Sequence, residues 1–299
     1  MKTLILLLSL LCATCSSAAE KKLTVCATVS MVADLTRSVG GERVEVQALM
    51  GAGVDPHLYK ATASDIVKLQ KADLILYSGL MLEGKMEGLF EQMKKGKRAV
   101  YAVTANLPKE KLLTPPEFEG HHDPHVWFDV ELWAACIGTV EEALSKVDPK
   151  GKEYYAANGA ALRQKYAQLH AWALNRVSDL AKEQRILVTS HDAYNYFGRA
   201  YGFQVVGLQG ISTVTEAGLA DVTKLVDFVK QKKIKAIFVE SSVPHNTIER
   251  ISKDAGVKIG GELFSDAMGS PGQMEGDYDV GTYEGMIKHN INTIVTGLK

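Results

Sequence analysis

Short runs rich in β-forming residues alternate with longer helical patterns along this chain. That alternation confines it to the α/β class, because strands separated by helical connections pair in parallel. In the first half Leu23 to Thr28, Val44 to Leu49, Leu74 to Tyr77 and Ala99 to Ala102 read as strands. Ser64 opens a helix with Ile66, Val67 and Leu69 on its apolar face and Asp65 in its first turn. The second half repeats the pattern, with Arg185 to Thr189, Phe203 to Gly207, Ile234 to Glu240 and Val257 to Gly260 as strands. Between the halves, Tyr155, Leu162, Tyr166, Leu169, Ala173, Val177 and Leu180 recur every three or four residues. The spacing predicts one long helix over Lys152 to Gln184, about 45 Å at about 1.5 Å per residue. A break at Gly159 into two helices is the alternative. The expected division is an N-terminal lobe at 20–150, a linking helix at 151–184 and a C-terminal lobe at 185–299. Lobes joined by a continuous helix have few soft torsions, which disfavours large hinge closure.

A length of 299 residues with 46% hydrophobic content is enough for two cored lobes. The 34 basic and 35 acidic residues nearly cancel, so no basic field exists to hold nucleic acid or an anionic membrane. Residues 1–19 read as a secretory signal peptide: Lys2, the apolar run Leu4 to Leu11, then Ser17, Ala18 and Ala19. The expected location is therefore periplasmic or at the cell surface. Cys15 is an alternative lipid-bearing residue, but Cys12, Ala13 and Thr14 before it match a lipoprotein signal poorly. Only Cys26 and Cys136 remain after cleavage at Ala19, and two buried apolar thiols are expected rather than a disulfide framework.

Three of the eight histidines stand where the chain turns out of a strand or into a helix. His57 is presented by the turn GAGVDPHLY, and His125 by DPHVWFD, a proline loop packed on Trp127 and Phe128. The Asp-Pro-His triplet thus occurs twice. A metal-bound imidazole usually has its other ring nitrogen held by an acceptor, which makes Asp55, Asp123 and Asp129 candidates for that support. His191, in VTSHDAYN, follows a strand and falls at the carboxyl end of a sheet, where open α/β folds bind ligands. Asp266, in GGELFSDAMG, is the fourth candidate. Singly, each has a bland reading as a hydrogen-bonded core or surface residue. Together, three imidazoles and one carboxylate make a closed four-ligand shell suited to zinc. Glu240 ends an apolar strand and reads either as an acceptor for a ligating histidine or as a helix-entry carboxylate. His121 and His122 read as solvated, with a small metal-collecting loop as the alternative. His170 and His289 read as structural, and His245 as a surface residue.

In GAGVDPHLYKATASDI, LILYSGL, DPHVWFDVELW, LVTSHDAYNYFGRAYGF, FVESSVPH and GGELFSDAMG the chain resembles the TroA-like solute-binding proteins of zinc and manganese ABC importers. The resemblance implies two lobes with four-stranded parallel sheets, a long backbone helix between them and a metal buried in the cleft. It implies His57, His125, His191 and Asp266 as ligands, zinc or manganese as transported cargo with no catalytic cofactor, and a membrane permease as partner to a monomer. In manganese binders of this kind a glutamate often stands where this chain has His191, and many zinc binders carry a histidine-rich loop before the second ligand. This chain has neither. A secreted zinc hydrolase is the rival class, but HExxH and GxSxG are absent and the fourth ligand is a protein group. A surface adhesin that kept the scaffold is a second rival, and all four ligand positions argue against it.

Overall fold

The computed structural model describes residues 21–118 and 120–299. The expected leader, with Cys15, lies outside the described residues. The first lobe runs β1 (Leu23–Ala27), α1 (Ser30–Gly40), β2 (Val44–Ala48), α2 (Ala63–Lys71), β3 (Leu74–Tyr77), α3 (Glu87–Lys95), β4 (Val100–Ala102) and α4 (Val130–Val147). Its strands form one parallel sheet in the order β2-β1-β3-β4. All four residues of β3 are buried, as expected for a strand covered by helices on both faces. Helix α2 starts before Ser64: Thr62 is its cap, accepting from the Asp65 N–H, while the Asp65 carboxylate accepts from the Thr62 N–H.

Helix α5 (Lys152–Val177) is continuous and follows a turn of 3-10 helix that begins at Pro149. Its buried residues Tyr155, Gly159, Leu162, Tyr166, Leu169, Ala173 and Val177 are the predicted stripe. Gly159 does not break the helix, because a side chain there would collide with Glu141 on α4, so the glycine lets two helices approach closely. The helix ends seven residues earlier than predicted. The Ser178 hydroxyl donates to the Asn175 carbonyl, and Ala181 turns extended. At about 1.5 Å per residue its 26 residues reach about 39 Å.

The second lobe runs β5 (Ile186–His191), α6 (Asn195–Tyr201), β6 (Gln204–Gln209), α7 (Leu219–Lys232), β7 (Ala236–Glu240), α8 (Asn246–Ala255) and β8 (Lys258–Leu263). After them come β9 (Met274–Glu275), β10 (Tyr278–Asp279) and α9 (Tyr283–Leu298). Its strands make two parallel pairs, β5–β6 and β7–β8, rather than one continuous hydrogen-bonded sheet. At the end of β5 the His191 N–H goes to the Glu240 side chain at the end of β7, in place of a ladder bond. The antiparallel β9–β10 hairpin is an addition that the strand pattern does not predict.

One apolar core crosses from lobe to lobe, with Val25, Leu76, Trp127, Phe128, Tyr194, Phe197, Met268 and Tyr283 all belonging to it. Phe128 stacks on Tyr194, ring centroids 4.2 Å apart. A smaller core under α7 and α8 contains Val188, Val226, Ile237 and Ile251. Cys26 and Cys136 are buried and form no disulfide among the described residues, and burial pushes both thiols up, Cys26 to about 12. Among the described residues no helix is long and apolar enough to cross a membrane.

Candidate metal centre

His57, His125, His191 and Asp266 converge between the lobes, each offering one donor atom within 4.8 Å of the others. All four residues are between 0 and 4% exposed. The turn from β2 to α2 carries His57, and the loop before α4 carries His125. The last residue of β5 is His191, and the loop after β8 supplies Asp266. Three Nε2 atoms face the carboxylate: His191 lies 3.3 Å from Asp266 Oδ2, His125 3.4 Å from Oδ1 and His57 3.8 Å from Oδ2. His57 Nε2 and His125 Nε2 are 3.3 Å apart. Among the described residues the Nε2 of His191 and both Asp266 oxygens find no hydrogen-bond partner, though all three are buried. Buried polar atoms are rarely left so, and a divalent cation among them would satisfy all three.

The far sides of the rings differ. His125 Nδ1 is 2.8 Å from Asp123 Oδ1, and the other Asp123 oxygen accepts from Asn195 at 3.2 Å. His191 Nδ1 is 2.5 Å from Glu240 Oε2, while Glu240 Oε1 accepts the His191 N–H at 2.9 Å. These contacts fix the tautomers that leave Nε2 toward the centre. Asp55, despite its matching triplet, does not support the His57 ring. It accepts the His57 N–H at 2.8 Å and the Thr213 hydroxyl at 2.6 Å, which ties the turn to the opposite lobe. Asp129 supports no histidine either: it caps α4 through the Leu132 N–H at 3.1 Å and pairs with Arg199 at 3.0 Å.

The Asp266 loop is held by contacts that the sequence reading did not foresee. Trp127 Nε1 donates to the Ser265 carbonyl at 3.1 Å, the Met268 N–H to Ser30 Oγ at 2.9 Å and the Phe264 N–H to Asn290 Oδ1 at 2.9 Å. Asn290, buried within the apolar face of α9, is the member that a polar residue in a hydrophobic stripe could have revealed. The remaining histidines stand apart. His122 contacts Thr114 and His121 packs on Phe118. His170 lies against Tyr201, His289 bridges Glu275 and the Glu262 carbonyl, and His245 reaches the Glu240 carbonyl.

Charge divides the three imidazoles. Burial pushes His57 down to about 3, with His125 and His191 adding to the effect against the pull of Asp266. Burial also opposes charge on His125, but Asp123 and Asp266 outweigh it and raise it to about 9. His191 is raised well above its ordinary value, Glu240 and Asp266 overcoming burial. Burial works to protonate Asp266, yet His191 and His125 hold its carboxyl well below the usual range. Without an ion, then, the surroundings favour charge on Asp266, His125 and His191 and disfavour it on His57.

The family of zinc-uptake complex component A, periplasmic, matches residues 25–297. The manganese-binding lipoprotein MntA of Bacillus subtilis is 46% identical over 287 residues, covering 94% of this chain and 91% of that protein. The zinc-binding protein TroA of Treponema pallidum is 45% identical with the same coverage. The solved structure of the Treponema pallidum TroA superposes with a TM-score of 0.87 at 44% identity, covering 93% of this chain and 99% of that one. With a family match over nearly the whole described length and relatives of this identity, the chain belongs to the zinc-uptake component A family of metal-binding solute-binding proteins of ABC importers.

Proposed function

We propose that this protein captures one zinc or manganese ion outside the cytoplasm, with His57, His125, His191 and Asp266 as ligands, and delivers it to the membrane permease of an ABC importer. One observation carries the reading: four buried donors from four separate segments meet at one point, with three of their atoms unpartnered. A second support is that relatives at 46% and 45% identity are named for manganese and zinc respectively. Neutral imidazoles favour zinc by softness and by the Irving–Williams order, whereas manganese prefers more oxygen ligands. Zinc therefore binds more tightly in vitro, and manganese is the cargo where zinc is scarce.

The protein acts as a carrier rather than an enzyme, because a hydrolytic zinc needs an exchangeable water position and here the fourth donor is the enclosed Asp266. One chain supplies every donor, which supports a monomer. The division into lobes at 20–150 and 185–299 with a linking segment at 151–184 belongs to the same reading, as does export by the leader. Metal analysis of the purified protein, followed by competition between zinc and manganese, tests it. One equivalent of zinc that outcompetes manganese is expected, and alanine at two of the four ligands abolishes retention. Absence of zinc binding would falsify the assignment.

A further inference from the structure

A cavity of about 250 Å³ adjoins the centre at the carboxyl ends of β5 and β6, against the first turn of α8. Two of its walls are immediate neighbours of the centre: Asp55 stands two residues before His57, and Ser190 directly precedes His191. Successive side chains of a strand face opposite ways, so β5 presents His191 to the centre and Ser190 to the cavity. Ser190 is 3% exposed, and its Oγ has no hydrogen-bond partner among the described residues. The Oε1 of Gln209, another wall residue, is likewise buried and unpartnered. Glu216 and Thr213, with Asn246 and Thr247 from the first turn of α8, complete the polar lining.

What would occupy such a space follows from its charge and size. The first turn of α8 by itself favours an anion. The carboxylates of Asp55 and Glu216 oppose one, however, and among the described residues no lysine, arginine or histidine lines the cavity to offset them. The waters around a cation, by contrast, are hydrogen-bond donors, which is what Ser190 Oγ and Gln209 Oε1 require and what Glu216 can accept, while Asp55, already accepting from the His57 N–H and the Thr213 hydroxyl, adds its negative charge. Six waters at about 30 Å³ each fill about 180 Å³, so a hydrated ion fits and a bare one leaves most of the space empty. Oxygen donors alone hold zinc more weakly than imidazole does, which suits a site that must pass its ion on.

We propose that this cavity is a second, outer site for a hydrated divalent cation, held by Ser190, Gln209, Asp55 and Glu216, from which the ion sheds water and passes to the four-donor centre. The outer site stands on its own, whereas the transfer step rests on the centre being the metal site.

The test uses the protein with its centre filled by zinc, titrated with Mn2+ and followed by electron paramagnetic resonance. A second, weaker equivalent of Mn2+ is expected. Ser190→Ala with Glu216→Gln weakens that equivalent at least tenfold while one zinc is retained. Glu216→Gln alone, an exposed change that leaves packing untouched, weakens it severalfold. In stopped-flow experiments with a zinc indicator the double variant takes up and releases zinc more slowly by the same factor, so equilibrium affinity is unchanged. No second Mn2+ at millimolar concentration, a second Mn2+ indifferent to both variants, or inorganic phosphate binding at the cavity would each overturn the proposal. Loss of zinc from the unaltered centre would instead refute the reading of the centre, and Mn2+ titration of that protein would still report on the outer site.

Discussion

At His125 and His191 a carboxylate sits behind the ring, and in the metal-free protein that carboxylate helps hold a proton on it. An ion binds only the neutral imidazole, so loading must expel those protons. Metal affinity should therefore rise with pH, by up to tenfold per pH unit for each proton released, and calorimetry in buffers of different ionisation enthalpy would count them. The same groups set the stability of the metal-free form. His125, raised to about 9, stabilises the native state fully below about 6.5 and loses that contribution as pH rises through about 9. His57, lowered to about 3, acts in the opposite sense: below about 6.5 the unfolded chain gains a proton that the native one refuses. Thermal unfolding in chelator is expected to be most resistant near pH 6 to 7, and a melting temperature that climbs steadily to pH 9 contradicts this. Glu240→Gln, which keeps the shape but weakens the acceptor behind His191, should cost 10- to 100-fold in zinc affinity, an order set by outer-shell partners generally. A glutamate at position 191 would stand against Glu240 and Asp266. His191→Glu should thus weaken both metals, and adding Glu240→Gln should restore binding with the zinc-to-manganese ratio at least tenfold lower. The four residues that meet at the centre were legible from DPH, TSH and FSD, because turn chemistry is local. The partners were not: identical Asp-Pro-His triplets place Asp123 behind an imidazole and Asp55 on Thr213, and residue 213 is 158 positions away.

Helices and strands were largely visible in periodicity, and their ends less so. The stripe on α5 was legible residue by residue, because burial of one helical face imposes its spacing. Its end at Val177 was not, since Leu180 stays buried and continues the pattern after the backbone has left the helix. In the second lobe the strands were legible but their pairing was not, because hydrogen bonding between β5 and β7 is replaced by the Glu240 side chain. Two glycines separate tolerant from intolerant packing. At Gly159 a Cβ would meet the tip of the Glu141 side chain, which can swing aside at the cost of its ion pair with Arg163. A partly exposed pair contributes about 0 to 1 kcal/mol, and alanine returns about 1 kcal/mol of helix propensity. Gly159→Ala should therefore leave stability within about 1 kcal/mol of the parent. At Gly285 in α9 the Cβ would lie 1.9 Å from the Asp279 carbonyl oxygen, which is backbone and cannot rotate away. Gly285→Ala should destabilise by about 2 kcal/mol or more, an overpacking cost. Urea unfolding of the two variants side by side checks the contrast.

Across the molecule, α5 and the shared core tie the lobes together, so loading should reshape the centre without swinging one lobe far from the other. Small-angle scattering is expected to give the same radius of gyration with and without zinc, and a change of several ångströms would contradict the seam between the lobes. Zinc at about a thousand times its dissociation constant should still raise stability by about 4 kcal/mol, since only the native state assembles the donors. The aromatic seam through Trp127, Phe128, Tyr194 and Tyr283 has a further consequence for leakage. Wetting about 200 Å² of it would cost about 5 kcal/mol, so thermal gaping visits only about one molecule in several thousand at any instant. Under the proposed function, cargo caught there should dwell long enough to travel, with unloading left to a docking event strong enough to wedge the seam apart.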